Sequence, residues 1–300
     1  MSIADGLIKI MDKEKQVRIT IASTTGVVEE AHRRHNTSAT ASAALGRVLT
    51  AALIMGSDYL KAEKDLLTIK IDGNGMCGHI IATVNSRGQV RGLISNPRAD
   101  VPSSSPGKLA VGELVGKDGF IEVTKDLGLR QPFTGRTELV SGEIAEDLSH
   151  YLLTSEQIPS LVSLGVLVAP DLSIKAAGGM IIQALPGADD RLLEKIEKNV
   201  MAMGSISHLI DEADSLSELL DRVMEGVEYE VVDNMPVEFR CNCSSERLAG
   251  ILAGLSVEDI KDLSHRGDEI EICCNFCNQA YYYKVDEILD LKRAKASGDA

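Results

Sequence analysis

The chain has 300 residues, of which 44% are hydrophobic and 25% charged, a composition that excludes disorder of the whole chain. Its 31 basic and 45 acidic side chains give a net charge of −14, which disfavours a surface for nucleic acid. The apolar runs at 49–56 and 164–170 are too short for a membrane span, and we expect no secretory signal. We therefore expect a cytoplasmic protein whose six cysteines bind metal or carry out thiol chemistry.

Acidic residues and cysteines are unevenly distributed along the chain. Residues 187–238 contain fourteen acidic and four basic side chains, a net charge of −10. Cys77 stands alone, whereas the other five cysteines lie beyond residue 240. These shifts predict three parts: a mixed α/β core domain at 1–186, an acidic helical linker at 187–234 and a small cysteine domain at 235–300.

The first part has the sequence pattern of an α+β fold. Alternating apolar and polar residues predict strands at 17–22, 66–72, 79–85, 89–95, 166–169 and 180–184. The three strands between 66 and 95 form a β-meander, because short turn segments separate them. An Ala- and Leu-rich segment predicts a largely buried helix at 40–60, and further helices are predicted at 142–153 and 155–164.

The acidic middle part is predicted to be helical. Asp189 suits a helix N-terminus, Ser215-x-x-Glu218 has the form of a capping box, and Gly226 marks a stop. These helices are amphipathic and need an apolar partner, while like charges on their polar faces repel one another. We expect a packed but metastable linker, with an ordinary acidic helical surface as the alternative.

Four cysteines form the strongest motif of the sequence. Cys241-Asn-Cys243 is followed, after thirty intervening residues, by Cys274-Asn-Phe-Cys277. Two close pairs of thiolates can complete a tetrahedral shell with metal–sulfur bonds of about 2.3 Å. Zinc is the metal we predict, and iron or an iron–sulfur cluster is the alternative.

The spacer between the two pairs is predicted to be a small folded unit. Ser244 or Ser245 can cap one helix, Ser256 can cap a second that ends at 265–267, and 269–272 forms a strand. Such a unit has a core worth about 3–5 kcal/mol, whereas structural zinc contributes about 10–16 kcal/mol of apparent binding energy. Loss of the metal is therefore expected to unfold this domain.

The four predicted metal ligands are also oxidisable thiols. Each pair is close enough in sequence to form its own disulfide, Cys241–Cys243 and Cys274–Cys277. Oxidation would then remove all four ligands together. A permanent structural zinc ribbon is the alternative that the chemistry alone leaves open.

The two remaining cysteines are not expected to bind metal. In a strand, Cys273 points away from the face that Ile272 and Cys274 share, so it is a spectator or an accessible extra thiol. Cys77 lies near His79, but nothing else in the sequence supports a catalytic Cys–His pair.

Two further motifs resemble ligand-binding patterns but are not expected to bind a ligand. The glycines at 73–78 match a dinucleotide-binding pattern, but a predicted strand follows where that pattern needs a helix. His32 and His35 are expected on a solvated helix or loop face.

Several sequence blocks outside the cysteine motif point to one family. They are Arg34-His35, residues 43–52, 90–92, Asn96-Pro97, 142–148, 155–160, 177–179 and 183–187. With these blocks and the spacing of its four cysteines, the chain resembles the 33 kDa chaperonin family, also named the heat shock protein 33 homologues, over nearly its whole length. Cys273 is a departure from that family's motif.

This resemblance implies a redox-regulated, ATP-independent chaperone of the stress response and no enzyme activity. In the reduced state Cys241, Cys243, Cys274 and Cys277 would bind one zinc ion per chain, and the chaperone would be inactive. Oxidation would form the two disulfides Cys241–Cys243 and Cys274–Cys277 and release the zinc. The linker would then lose structure, and a homodimer would bind unfolded client proteins.

Two rival functions keep the zinc purely structural. One is an enzyme that uses a pocket of the core domain. The other is a nucleic-acid-binding zinc ribbon, which would show a steep salt dependence of binding.

Overall fold

The computed structural model describes residues 3–103, 108–264 and 268–297. Its strands are β1 (Gly6–Asp12), β2 (Val17–Ser23), β3 (Leu66–Asp72), β4 (His79–Asn85), β5 (Gln89–Ile94), β6 (Phe120–Asp126), β7 (Phe133–Glu138), β8 (Ser160–Val168), β9 (Ile174–Ala184), β10 (Tyr229–Pro236), β11 (Glu238–Phe239), β12 (Glu269–Cys273) and β13 (Ala280–Lys284). Its helices are α1 (Thr25–His35), α2 (Ala39–Tyr59), α3 (Val111–Val115), α4 (Ala145–Thr154), α5 (Asp190–Met203), α6 (Ile206–Glu212), α7 (Leu216–Val223), α8 (Ser245–Leu252), α9 (Val257–Asp262) and α10 (Val285–Ser297).

These elements form two compact units, Met1–Arg240 and Cys241–Ala300. The first unit contains a five-stranded antiparallel sheet of order β10-β1-β2-β9-β8 and a six-stranded sheet of order β11-β5-β4-β3-β6-β7. In its described residues, the second unit contains the β12–β13 hairpin and the helices α8, α9 and α10. The α+β fold class is therefore confirmed, and so is the meander β3-β4-β5. The predicted three-part division at 186 and 234 stays a prediction.

Helix α2 is the centre of the first unit. The Ser38 side chain caps it by accepting the Ala41 N–H, and sixteen of its 21 residues are buried. Its length and composition would suit a membrane span, but 89% of the apolar window is buried inside the protein. It is thus a core helix, and it contacts strands of both large sheets.

The prediction of a helix at 155–164 is wrong. This segment turns after α4 and enters strand β8, which pairs with β9 along its whole length. Pro159 explains the break, because the residue before a proline is disfavoured in helical geometry. Gln157 has a positive φ of 59°, which is incompatible with a continuous right-handed helix over 155–164.

The acidic middle part is only partly helical. Helices α5 and α7 begin at the predicted caps, Asp189 and Ser215, and Ser215 accepts the Glu218 N–H as the capping box requires. Helix α6 lies between them at a position for which no separate helix was predicted. Residues 229–234, however, belong to β10, which pairs antiparallel with β1. Strand β10 forms because the edge of β1 offers it backbone groups to pair with. The sequence of 229–234 does not by itself reveal that edge.

The predicted helices and strand of the cysteine domain are present as α8, α9 and β12. The Ser244 and Ser256 side chains cap α8 and α9. The predicted helix end at 265–267 lies outside the described residues.

Candidate metal centre

Two short backbone motifs hold the four cysteines. Cys241 and Cys243 directly precede α8, whose first turn is fixed by the bond from the Arg247 N–H to the Ser244 hydroxyl. Cys274 and Cys277 lie in the turn between β12 and β13. There the Cys277 N–H lies 3.2 Å from the Cys274 carbonyl oxygen. Both motifs are therefore anchored to regular elements of one small unit.

The four sulfur atoms form one cluster. All lie within 4.8 Å of one another. The Cys241 and Cys274 sulfurs are 3.8 Å apart, and those of Cys243 and Cys277 are 3.3 Å apart. A tetrahedron with zinc–sulfur bonds of about 2.3 Å has sulfur–sulfur edges of about 3.8 Å. The cluster therefore fits the donor set and size of a tetrahedral zinc site.

The electrostatics of the cluster favour partial ionisation. Burial opposes ionisation of Cys243, but hydrogen bonds with the Tyr281 hydroxyl and the neighbouring thiols lower its pKa to about 7. Burial raises the pKa of Cys274 and of Cys277 above the ordinary thiol value. Four thiolates this close repel one another, so a dication is the natural partner for the fully ionised set.

The other two cysteines lie outside the cluster. Cys273 is exposed, and its thiol lies 3.2 Å from the Asn278 side-chain oxygen. This agrees with the predicted orientation away from Ile272. Cys77 is buried in the first unit, and burial raises its pKa to about 11. A thiol with so high a pKa is a poor nucleophile at neutral pH.

Both motifs have structural roles, and the prediction of a solvated face is wrong for His35. His35 is buried, with its Nε2 3.0 Å from the Gly92 carbonyl oxygen. His32 is half-buried on α1, and its Nδ1 lies 3.1 Å from the Thr37 hydroxyl. The glycine pattern at 73–78 leads into strand β4. A side chain at Gly73 would collide with the Gly116 carbonyl oxygen, which explains that glycine.

Two tyrosines near the cluster were missed in the sequence. The Tyr281 hydroxyl lies 3.2 Å from the Cys243 sulfur, and the Tyr283 hydroxyl donates to the Ser245 carbonyl oxygen at 3.0 Å. Both residues lie on one face of β13, because side chains two apart in a strand point the same way. That spacing in the run 281–283 was the available signal.

An apolar sheet face in the first unit forms a second candidate site. We name it the covered face, and it consists of Ile10, Val17, Ile19, Ile21, Ala176, Met180 and Ile182. Helices α5, α6 and α7 cover it with Ile196, Ile206, Leu209, Ile210, Leu216, Leu219, Leu220 and Val223. The outer sides of these helices carry charged residues, for example Glu194, Lys195 and Glu197 of α5. Movement of these three short helices would therefore expose the apolar covered face.

The chain matches known proteins over nearly its full length. The model of the Hsp33 protein family matches residues 5–284. A 33 kDa chaperonin of Desulforamulus reducens is 47% identical over 284 residues, covering 95% of this chain and 96% of the relative. A 33 kDa chaperonin of Bacillus pumilus is 45% identical over 288 residues, covering 96% of this chain and 98% of the relative.

A solved structure is also similar. The crystal structure of the 33 kDa chaperonin (heat shock protein 33 homologue) of Thermotoga maritima has a TM-score of 0.88 and 35% identity. The match covers 98% of this chain and 99% of that chain. By its sequence and its fold, this chain belongs to the Hsp33 family of 33 kDa chaperonins.

Proposed function

We propose that this protein is a redox-regulated, ATP-independent chaperone that binds unfolding proteins and prevents their aggregation during oxidative and heat stress. The observation that carries the proposal is the cluster of four cysteine sulfurs within 4.8 Å, in a unit with only a small core. Membership of the chaperonin family supports the chaperone part. The proposal includes a cytoplasmic location and no catalytic residues.

In the reduced state Cys241, Cys243, Cys274 and Cys277 would hold one zinc ion. Zinc, when bound, would link the two cysteine pairs and keep their sulfurs as thiolates. The small core around Ile260, Ile270 and Ile288 would depend on that link, because packing alone gives a unit of this size little stability. The chaperone would be inactive in this state.

Oxidation would convert the four ligands into two disulfides, which the family resemblance pairs as Cys241–Cys243 and Cys274–Cys277. For each pair, one thiolate attacks hydrogen peroxide and the O–O bond breaks, which leaves a sulfenic acid and hydroxide. The second thiolate attacks that sulfur, an S–S bond forms, and a second hydroxide leaves. Two protons convert the hydroxides to water. Neither sulfur of the pair is then a thiolate ligand.

Loss of the metal link would unfold the unit at 241–300, and the family resemblance implies that the acidic helical part, with the helices over the covered face, would lose structure as well. The covered face, with Ile10, Ile19 and Ile21 at its centre, would then become available to apolar segments of unfolding proteins. The polar contacts of these helices lie on their exposed rim: Lys195 donates to the Gly226 carbonyl oxygen at 2.7 Å, and Lys175 pairs with Asp211 at 2.6 Å. The active form would be a homodimer.

Light scattering from a thermally unfolding test protein checks the proposal. The reduced, zinc-loaded protein is compared with the same protein after warm peroxide treatment, and released zinc is measured in parallel. We expect suppression only after oxidation, and reversal by a thiol reductant with zinc. The Cys273→Ser variant is the matched control and should switch like the parent.

Equal suppression in both states would contradict regulation and leave the four cysteines as a permanent zinc ribbon. No suppression in either state would contradict the chaperone function itself. Turnover of a small substrate that cysteine replacement leaves unchanged would instead support an enzyme. Nucleic-acid binding with a steep salt dependence would support the zinc-ribbon binder.

A further inference from the structure

Three consecutive tyrosines of β13 have three different environments. The Tyr281 hydroxyl lies 3.2 Å from the Cys243 sulfur and 3.4 Å from the carbonyl oxygen of the same residue. Tyr283 is buried and donates to the Ser245 carbonyl oxygen at 3.0 Å. Tyr282 is 60% exposed, and its hydroxyl lies 3.3 Å from Glu271. Tyr281 is the member of this run whose hydroxyl touches a cysteine sulfur.

The position of the Tyr281 ring is set by the hairpin. Tyr281 pairs with Ile272 across β12 and β13, and Tyr283 pairs with Ile270. The two tyrosine rings therefore leave the same face of β13 and reach the segment that carries Cys243. The contact to sulfur is thus built into a regular element and does not depend on a mobile loop.

The donor in this contact follows from the state of the sulfur. A thiolate has no proton and can only accept, so the Tyr281 hydroxyl must donate when Cys243 is ionised. Hydrogen bonds to metal ligands orient them and tune their electron density, and they contribute to metal affinity. A donated hydrogen bond also stabilises the sulfur electron pair with which a thiolate attacks an oxidant, and so slows that attack.

We propose that Tyr281 is a positioning residue of the metal site: its hydroxyl donates to the Cys243 thiolate, strengthens metal binding and slows oxidation of this sulfur. The inference rests on the proposed function, since it assigns a residue that sets the threshold of the same thiol switch. The Tyr283 hydroxyl bonds to a backbone carbonyl oxygen of the same segment, that of Ser245, and not to a cysteine sulfur. Tyr282 has no part in the site.

The oxidation step affected is the attack of Cys243 on hydrogen peroxide. The sulfur electron pair forms an S–O bond, the O–O bond breaks, and hydroxide leaves with one oxygen. The Cys241 thiolate then displaces a second hydroxide and forms the S–S bond. Both hydroxides become water by taking protons from solvent. Removal of the Tyr281 hydroxyl frees the attacking electron pair and should speed the first of these steps.

The test compares the variants Tyr281→Phe, Tyr283→Phe and Tyr282→Phe in the full chain, since each keeps the aromatic ring. Zinc affinity is measured by chelator competition, and zinc release is timed after addition of hydrogen peroxide. The cobalt(II)-loaded proteins are compared by their sulfur-to-metal charge-transfer absorption. For Tyr281→Phe we expect about tenfold weaker zinc binding, about fivefold faster zinc release and a shifted charge-transfer band.

The controls separate this role from a structural one. Tyr283→Phe should lower the thermal stability of the unit but leave the charge-transfer band unchanged, and Tyr282→Phe should match the parent in every measurement. Site-specific 3-fluorotyrosine at 281 makes the donor more acidic without changing its shape. It should slow zinc release, which gives a second measurement if Tyr281→Phe does not fold.

Parent-like affinity, release rate and charge-transfer band in Tyr281→Phe would overturn the inference and leave the proposed function standing. The same band shift in Tyr283→Phe would also overturn it, because the effect would then come from packing. A parent protein that binds no zinc or cobalt would overturn both the inference and the proposed function.

Discussion

The two faces of the five-stranded sheet are covered in different ways. On one face α2 presents 21 residues, sixteen of them buried, and packs between the two large sheets. On the other face three shorter helices of 14, 7 and 8 residues pack on the strands, and Ile196 is the one residue of α5 that is fully buried. The same sheet therefore has one face inside the protein core and one under a thin, charged layer.

This difference shows how one fold can keep its core and still expose apolar surface. Regions with few buried contacts and many exposed hydrogen bonds open at lower free energy than the core does. Helix α5, with one buried residue of fourteen, has these properties, whereas α2 has the opposite ones. Helices α6 and α7 are short and have four buried residues each. A local chemical change can thus release one face while the other keeps the protein folded.

Metal removal is expected to give the largest difference in behaviour between the helices on the two faces of the sheet. Structural zinc contributes about 10–16 kcal/mol of apparent binding energy, so a chelator should unfold the unit that contains β12 and β13. Hydrogen exchange followed by mass spectrometry should then show loss of protection in that unit and in α5 to α7. Segments from α2 serve as the internal control and should keep their protection. Continued protection of α5 to α7 would contradict the link between metal and covered face.

Matched core truncations should distinguish the two faces by a smaller amount. Leu49 of α2 and Leu219 of α7 are both fully buried, so Leu49→Ala and Leu219→Ala remove the same atoms. Leu49→Ala should lower the free energy of unfolding of the first unit by about 2–5 kcal/mol in urea. Leu219→Ala should mainly loosen α5 to α7, and we expect it to raise binding of an apolar dye in the reduced state. Equal loss of global stability would show that both faces belong to one cooperative unit.

Removal of a helix cap on each face is expected to give the smallest and most local difference between the two faces. Ser38 caps α2 and Ser215 caps α7, and loss of such a cap costs about 1 kcal/mol. Ser215→Ala should speed hydrogen exchange in α7 and leave the urea midpoint of the first unit almost unchanged. Ser38→Ala should shift that midpoint instead. A midpoint shift of the same size in both variants would contradict the proposed independence of the covering helices.

Local sequence signals predicted much of this structure. The strands at 66–72 and 79–85 match β3 and β4, because alternation and turn residues are local properties. The caps at Ser215, Ser244 and Ser256 were found for the same reason. The prediction of a helix at 155–164 failed because Pro159 and the pairing with β9 outweigh the apolar pattern.

The sequence by itself determined that the four cysteines belong together, since their spacing and the capped helices between them already describe one small unit. Only the tertiary structure decided that 229–234 joins the edge of β1, that His35 is a core residue, and that Tyr281 touches Cys243. Each of these depends on a partner far along the chain. Pattern and capping act over a few residues, whereas sheet edges, burial and side-chain contacts exist only after the chain has folded.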